Sequence, residues 1–359
     1  MTLQAQVIEL GNDLWLQTLQ EIRHDFYHWP EYVYLESQRT DTIPEAILIT
    51  EGEKKFFVPY LLRKCDDILS EEVKSIDIFD VISPYGYPGI LLNEAATKTP
   101  GFADAALERM KQEFRDRGIC SAFFRLHPIL NESFTEVFQA GTFTANGETI
   151  SVDLKLPNLW THTRKGHRST INKCKRLGMI AKMVPFPDYL DEFVSIYEET
   201  MRRVNAATGY YTFNSEYFTQ MNDLFGINLH LCIVEYENQV ASVGLYTECC
   251  GIVQSTLGGT RDKFVHLSPG SLETDFARYW AQERGNEFLH LGGGVGGSTE
   301  DSLYNFKSGF SQLSHKFFTL RLIADEEKYH HLVNLRAKIL GVTASELLQS
   351  NFFPAYRSR

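Results

Sequence analysis

"LHLGGGVGGSTEDSLYNFKSGFS", residues 289–311, runs from an apolar start through five glycines between positions 292 and 297 into a short amphipathic run that carries Lys307. Gly292, Gly294 and Gly297 have the spacing of a dinucleotide fingerprint, in which a glycine turn at a helix start presents free N–H groups to a phosphate. That reading would make the fold a doubly wound parallel sheet, and it needs the third glycine to enter a long helix packed on the sheet. Here polar Ser298, Thr299, Glu300 and Asp301 intervene. Only about two and a half helical turns can follow them. A Walker A loop is excluded, because no glycine precedes a Lys-Ser or Lys-Thr pair. The glycines therefore read as a strand end that comes close to a ligand or to another backbone. Ser298 and Thr299 are placed to cap the short helix that follows.

Working outward, no low-complexity tract or long linker interrupts the 359 residues, a length that suits two domains of ordinary size. A hydrophobic content of 43% with 23% charged residues argues against disorder. The start, MTLQAQVIELGNDLW, carries two acids and no basic leader, and no apolar run approaches membrane-spanning length. The expectation is a cytoplasmic protein without integral membrane contact. The six cysteines, Cys65, Cys120, Cys174, Cys232, Cys249 and Cys250, show no CxxC or Cys/His ligand spacing. They are expected as reduced thiols, with no metal.

A net charge of -11 opposes a protein that coats nucleic acid, yet the acidity is uneven. From Leu154 to Pro187 there is no acid, while Lys155, Arg164, Lys165, Arg168, Lys173, Lys175, Arg176 and Lys182 accumulate. Such a strip either concentrates an anionic ligand or is a solvated helix face.

One plan is used twice. In the first half, PEAILIT and KKFFVPYLLR flank EGE as a hairpin, SIDIFDVI leads to the turn cluster SPYGYPG, and FADAALERMKQEFRDRG is a glycine-closed helix before the strand ICSAFFRLHP. In the second, the helix PDYLDEFVSIYEETMRR precedes a meander of LHLCIVEYE, QVASVGLYTE and GIVQSTLGG. The helix SLETDFARYWAQERG and the strand EFLHL then follow. Hairpin, helix and strand in both halves predict a duplicated α+β unit. The expected division is residues 1–150, completed by a returning segment 315–359, and residues 151–314.

The second half has the element order of the GNAT acyltransferase fold. The motifs DFYHWPEY, SPYGYPG, FFRLHPIL, RKGHRSTINKCKRLGM, YEETMRRVNA, YYTFNSEYF, LHLGGG and YNFKSGFS together resemble, in this order, the FemABX-like branch of tandem-GNAT proteins. The resemblance covers nearly the whole chain. It lacks the long heptad segment of family members that carry a coiled-coil arm. It implies two tandem GNAT-like domains, each a mixed, mostly antiparallel sheet flanked by helices, and an aminoacyltransferase or acyltransferase activity. It also implies aminoacyl-tRNA as co-substrate in place of a bound cofactor. The acceptor would be an amine on a peptidoglycan precursor, a sugar or a specialised metabolite.

By the same resemblance, Lys307 of the Phe306-Lys307 pair stands at the catalytic centre, although on residues alone an exposed helix lysine is the plain reading. Aminolysis of an ester develops negative charge on the attacked carbonyl oxygen, which a fixed cation stabilises. Gly292, Gly293 and Gly294 would border the donor's acyl end. Arg168 and Arg203 would face the acceptor, and guanidinium forks suit phosphates or carboxylates. Each could equally serve a surface ion pair. Tyr27, His28, Arg63, Tyr85, Tyr87, Arg125, His127 and Tyr211 complete the substrate-binding set, expected around an interdomain groove. His28 and His127 could equally be structural, and Tyr211, like Tyr210, a core aromatic.

Two alternatives stay open. Acyl-CoA could be the donor, but at the strand-to-helix junction the sequence has DKFVHLSPGSLETDF, where Pro269 removes one N–H and only Gly270 is permissive. A noncatalytic binding protein of the same fold is the other, since no carboxylate stands out as a general base and Glu248 falls near a hairpin turn.

Overall fold

The computed structural model describes residues 2–68, 77–206, 213–294 and 300–358. The chain divides into two compact units, residues 1–146 with 317–359, and residues 147–316. In the first, strand β1 (Gln4–Glu9) is followed by helices α1 (Asp13–Glu21) and α2 (Pro30–Thr40) and the hairpin β2 (Ile43–Glu51) and β3 (Lys54–Lys64). Strands β4 (Phe79–Ile82) and β5 (Leu91–Leu92), the short α3 (Glu94–Thr97), helix α4 (Phe102–Asp116) and β6 (Ile119–Arg125) come next. A single turn, α5 (Phe134–Val137), ends this part.

Helix α4 forms because its apolar residues recur on one face: Phe102, Ala103, Ala106, Leu107, Met110 and Phe114 are buried. They pack against Ile47, Ile49, Phe56 and Val58 of the hairpin. Burying each large side chain contributes about 1.5–3 kcal/mol. The helix links β4 to β6, which pair in parallel, the crossover that a parallel pair requires.

The second unit contains β7 (Thr144–Asp153), α6 (Lys165–Arg176), β8 (Ile180–Val184), α7 (Leu190–Arg203) and α8 (Ser215–Phe225). The meander β9 (Leu229–Tyr236), β10 (Gln239–Cys249) and β11 (Ile252–Thr260) leads to α9 (Gly270–Glu283), β12 (Phe288–Gly293) and α10 (Ser302–Lys307). The strand order is β7-β12-β11-β10-β9-β8. Among the described residues of this unit, only β11 and β12 pair in parallel, with α9 between them in sequence. Among the described residues, each unit thus sets a long helix, α4 or α9, between the strands of its one parallel pair.

Strand β13 (Leu313–Ile323) then pairs through Thr319–Ile323 with β6, and α11 (Glu326–Leu340) and α12 (Ala344–Gln349) complete the first unit. All six cysteines are free, five of them buried and Cys250 exposed. Among the described residues, no helix is long and apolar enough to cross a membrane.

Candidate active site

The opening glycines lie where the parallel pair of the second unit parts. Strands β11 and β12 pair only from Ile252 to Gln254 against Phe288 to His290. Beyond this, β11 continues against β10, while β12 shifts register after His290 and pairs Gly292 with Ile150 and Gly293 with Thr149 on β7. Gly292 has φ +77°, a conformation that favours glycine. A Cβ on Gly293 would stand 2.9 Å from the Glu148 carbonyl oxygen. These glycines therefore serve a bulged strand end in close contact with the neighbouring strand.

Lys307 is the last residue of α10, and its Nζ donates to the Gly293 carbonyl at 2.7 Å. Burial lowers its pKa to about 8, with the charge of Asp301 acting in the other direction. The helix is capped by Asp301, whose carboxylate accepts from the Tyr304 N–H at 3.0 Å. This corrects the expectation of a cap at Ser298 or Thr299, which lie outside the described residues. An acid suits a helix start through its hydrogen bond and its charge.

Helix α6 holds the other side of this segment. His167 Nε2 donates to the Phe306 carbonyl at 2.9 Å, and its ring lies 5.0 Å from that of Phe310. A Cβ at Gly309 would fall 2.1 Å from that ring, so the imidazole occupies the space a larger residue would need. Burial lowers the His167 pKa, which keeps the ring neutral. The Phe306 ring packs on Phe310 at 5.2 Å. Below them, fully buried Arg278 joins Asp275 at 2.6 Å, Thr163 Oγ1 at 2.7 Å and the Phe310 carbonyl at 3.4 Å. One guanidinium thereby ties α9 to the approach to α6 and to the chain leaving α10.

Arg168, next to His167, is exposed. With Lys165, Lys173 and Arg176 it forms an α6 face whose cations have no side-chain partner among the described residues. The rest of the basic run is engaged: Lys155 with Glu287, Lys175 with Asp275, Lys182 with Glu235, and Arg164 with Ser308 Oγ. Arg203 is paired with Asp262 and donates to the Thr260 carbonyl at 2.9 Å, an arrangement that closes α7 onto the end of β11. Gly294 follows the strand end, and Tyr211 lies outside the described residues.

In the first unit, Tyr27, His28, Tyr85, Tyr87 and His127 come together around Asp25. The Tyr27 ring centre lies 6.1 Å from that of Tyr87 and 6.2 Å from that of His127. Gly86, at φ +88°, brings its backbone so near that a Cβ would stand 2.2 Å from the Tyr27 ring. Tyr32 donates its hydroxyl to the Tyr85 carbonyl at 2.8 Å. His127 Nδ1 accepts from the N–H groups of Ile129 and Leu130, leaving Nε2 to donate to Asp25 at 2.9 Å. Burial first, then His127, lowers the His28 pKa, and burial raises that of Tyr27. Arg63 stands apart from this cluster, paired with buried Asp80 at 2.8 Å, where Arg357 and Tyr356 also bind. Arg125 joins the 83–89 loop through its backbone: its N–H donates to Ser83 Oγ, and its carbonyl accepts from Gly89.

Two carboxylates escaped the sequence reading. Glu148 on β7 accepts from the Tyr304 hydroxyl at 2.9 Å. Burial, then Glu148, raises the Tyr304 pKa to about 12. Glu273 on α9 is buried, accepts from Tyr246 at 2.6 Å, and is pushed up to about 7 by burial. Gly244 was its available signal, because glycine inside a strand marks a close approach, and a Cβ there would meet the Glu273 carboxylate. Nothing in the sequence marked Glu148. Glu248, passed over as a base, is occupied by Arg284 at 2.7 Å and Asn286 at 2.6 Å.

Compared with solved structures, the chain superposes on FemX with a TM-score of 0.67 and 12% identity, covering 91% of this chain and 99% of that one. The chain has a fold like that of FemX. L-PGS from Bacillus licheniformis is similar at a TM-score of 0.51 and 14% identity, over 87% of this chain and 92% of that one. A C-terminal domain (DUF2156) from Agrobacterium fabrum, assigned to a lysylphosphatidylglycerol synthetase, matches at 0.55 and 12%, over 85% and 90%. No protein-family model matches the chain, and no curated protein sequence matches it.

Proposed function

We propose that the protein is a transferase that forms an amide on an amine acceptor, with aminoacyl-tRNA as donor. The observation that carries this reading is the Lys307 ammonium held on the Gly293 carbonyl, where β12 parts from β11 in a FemX-like fold. When the acceptor nitrogen attacks the donor ester, the carbonyl oxygen becomes an oxyanion. A partly buried cation beside it stabilises that charge more than the same cation in water would. With a pKa of about 8, Lys307 still carries its charge at neutral pH.

Two features favour an RNA-borne donor. On α6, Lys165, Arg168, Lys173 and Arg176, which have no side-chain partner among the described residues, suit a phosphodiester backbone on a chain that is otherwise acidic. The loop before α9 uses its own N–H groups: Ser268 donates to Val265 and Ser271 to Ser268, which leaves fewer for a CoA pyrophosphate. The acceptor would be a peptidoglycan precursor, a sugar amine or a specialised metabolite.

Incubation with tRNA charged with labelled amino acids and a panel of primary amines tests the donor. Label should pass to an amine in a reaction that RNase treatment of the donor abolishes. Product that persists after RNase treatment would remove the tRNA assignment. Calorimetric titration with acetyl-CoA separates the acyl-CoA alternative, and heat of binding at millimolar ligand or below would favour it.

A further inference from the structure

Gly293 is the meeting point of more than Lys307. Its neighbour on β7 is Thr149, and the preceding residue, Glu148, sets its carbonyl against the Gly293 backbone. The Glu148 side chain shares a face of β7 with Ile150 and Val152, which belong to the core that Tyr304 and Phe306 pack against. On α10, Tyr304 and Lys307 are three residues apart and project to the same side. One of these groups bonds Glu148 and the other bonds Gly293. A carboxylate, a phenol and an ammonium therefore surround one strand end.

We propose that the Glu148 carboxylate, held in place by the Tyr304 hydroxyl, is the proton acceptor for the attacking amine, an inference that rests on the transfer reaction above. Glu148 Oε2 is fixed by Tyr304, while Oε1 has no partner among the described residues. The residue is half-buried, so a substrate can reach it. Glu273 has no comparable freedom, being enclosed with its oxygens on Tyr246 and Thr274.

The step balances without any further reagent. The neutral amine attacks the ester carbonyl carbon, the C–N bond forms, and the carbonyl oxygen takes the negative charge opposite Lys307. The nitrogen passes a proton to Glu148 Oε1. The carbonyl re-forms, the ester C–O bond breaks, and the leaving oxygen receives that proton from Glu148. Amide and alcohol depart, and the carboxylate is restored. Tyr304 acts as a positioning residue, since it orients the carboxylate and stays protonated.

Chemical rescue separates this role from a structural one. Bulk charged tRNA and the primary-amine panel supply the assay, with the thermal melt of each variant measured alongside. Glu148→Gln should lower kcat by on the order of 10²-fold or more, as loss of a general base does. KM should change little. Glu148→Ala should be equally slow and should regain rate saturably on addition of formate, which puts a carboxylate back into the vacated space. Tyr304→Phe should give a smaller loss that formate does not repair. Near-normal turnover by Glu148→Gln, or a Glu148→Ala variant with a wild-type melt that formate leaves inert, would overturn the assignment. If the wild-type protein transfers nothing from any donor, the transfer reading itself fails and the base assignment falls with it.

Discussion

At the last position of α10, Lys307 is drawn out of water against one backbone carbonyl, and that burial lowers its pKa. The unfolded chain would hold the proton up to the ordinary value of 10.5, whereas the folded chain releases it near 8. Between those values the unfolded state binds more protons, so this residue's contribution to stability rises with pH across that window and is lost as pH falls through about 8. The catalytic role has the opposite dependence, because it needs the cation. On the alkaline side the transfer rate should decline above about pH 8, by up to about tenfold per pH unit. NMR titration of the Lys307 side chain should show the same midpoint. A midpoint near 10.5 would mean an ordinary exposed amine. The motif around Lys307 was legible in the sequence, but its partner was not, since a backbone carbonyl carries no residue identity. The cap was misread for a related reason: Ser298, Thr299 and Asp301 are all good cap residues, and only the start of α10 decides between them.

Among the elements, α6 shows what charge patterning can and cannot say. Its acid-free run is plain in the sequence, and Ile171 and Cys174 turn inward as a helical period requires. Which cations are engaged depends on residues far along the chain: Lys155 meets Glu287 and Lys175 meets Asp275. No local pattern announces such pairs. In the sequence Arg278 is one residue of the helix SLETDFARYWAQERG with nothing to single it out, yet it is fully buried and joins three segments. Removing Arg278 leaves buried Asp275 with only the half-exposed Lys175 as a charge partner. Arg278→Ala should therefore lose about 3–5 kcal/mol of stability. Urea denaturation checks this, and an unchanged midpoint would show that Asp275 finds compensation elsewhere. The loss should be smaller for Arg203→Ala, whose pair with Asp262 is exposed to solvent.

Across the molecule, the repeated order of hairpin, helix and strand was legible because the elements that carry it are strongly periodic. Helix α4 and the β9–β11 meander fall where the apolar pattern puts them. The weaker strands were not legible. Strand β7 reads TANGETISVD, rich in residues that strands disfavour, and β8 has no fully buried position to impose an alternation. Strand β7 nevertheless supplies Glu148 and the partner of Gly293, so the site depends on an element that its own sequence hardly specifies. Of the first-half residues grouped by motif, Tyr27, His28, Tyr85, Tyr87 and His127 converge around Asp25 through hydrogen bonds that account for much of their polarity, while Arg63 is held apart on Asp80. The central claim is that the Lys307 cation at the β12 end stabilises the transition state of transfer, and single-turnover kinetics of Lys307→Met with a charged donor test it most directly. The account predicts a rate lower by on the order of 10²-fold or more with substrate affinity little changed, as for a lost oxyanion donor. Near-normal turnover by a folded Lys307→Met protein would contradict it.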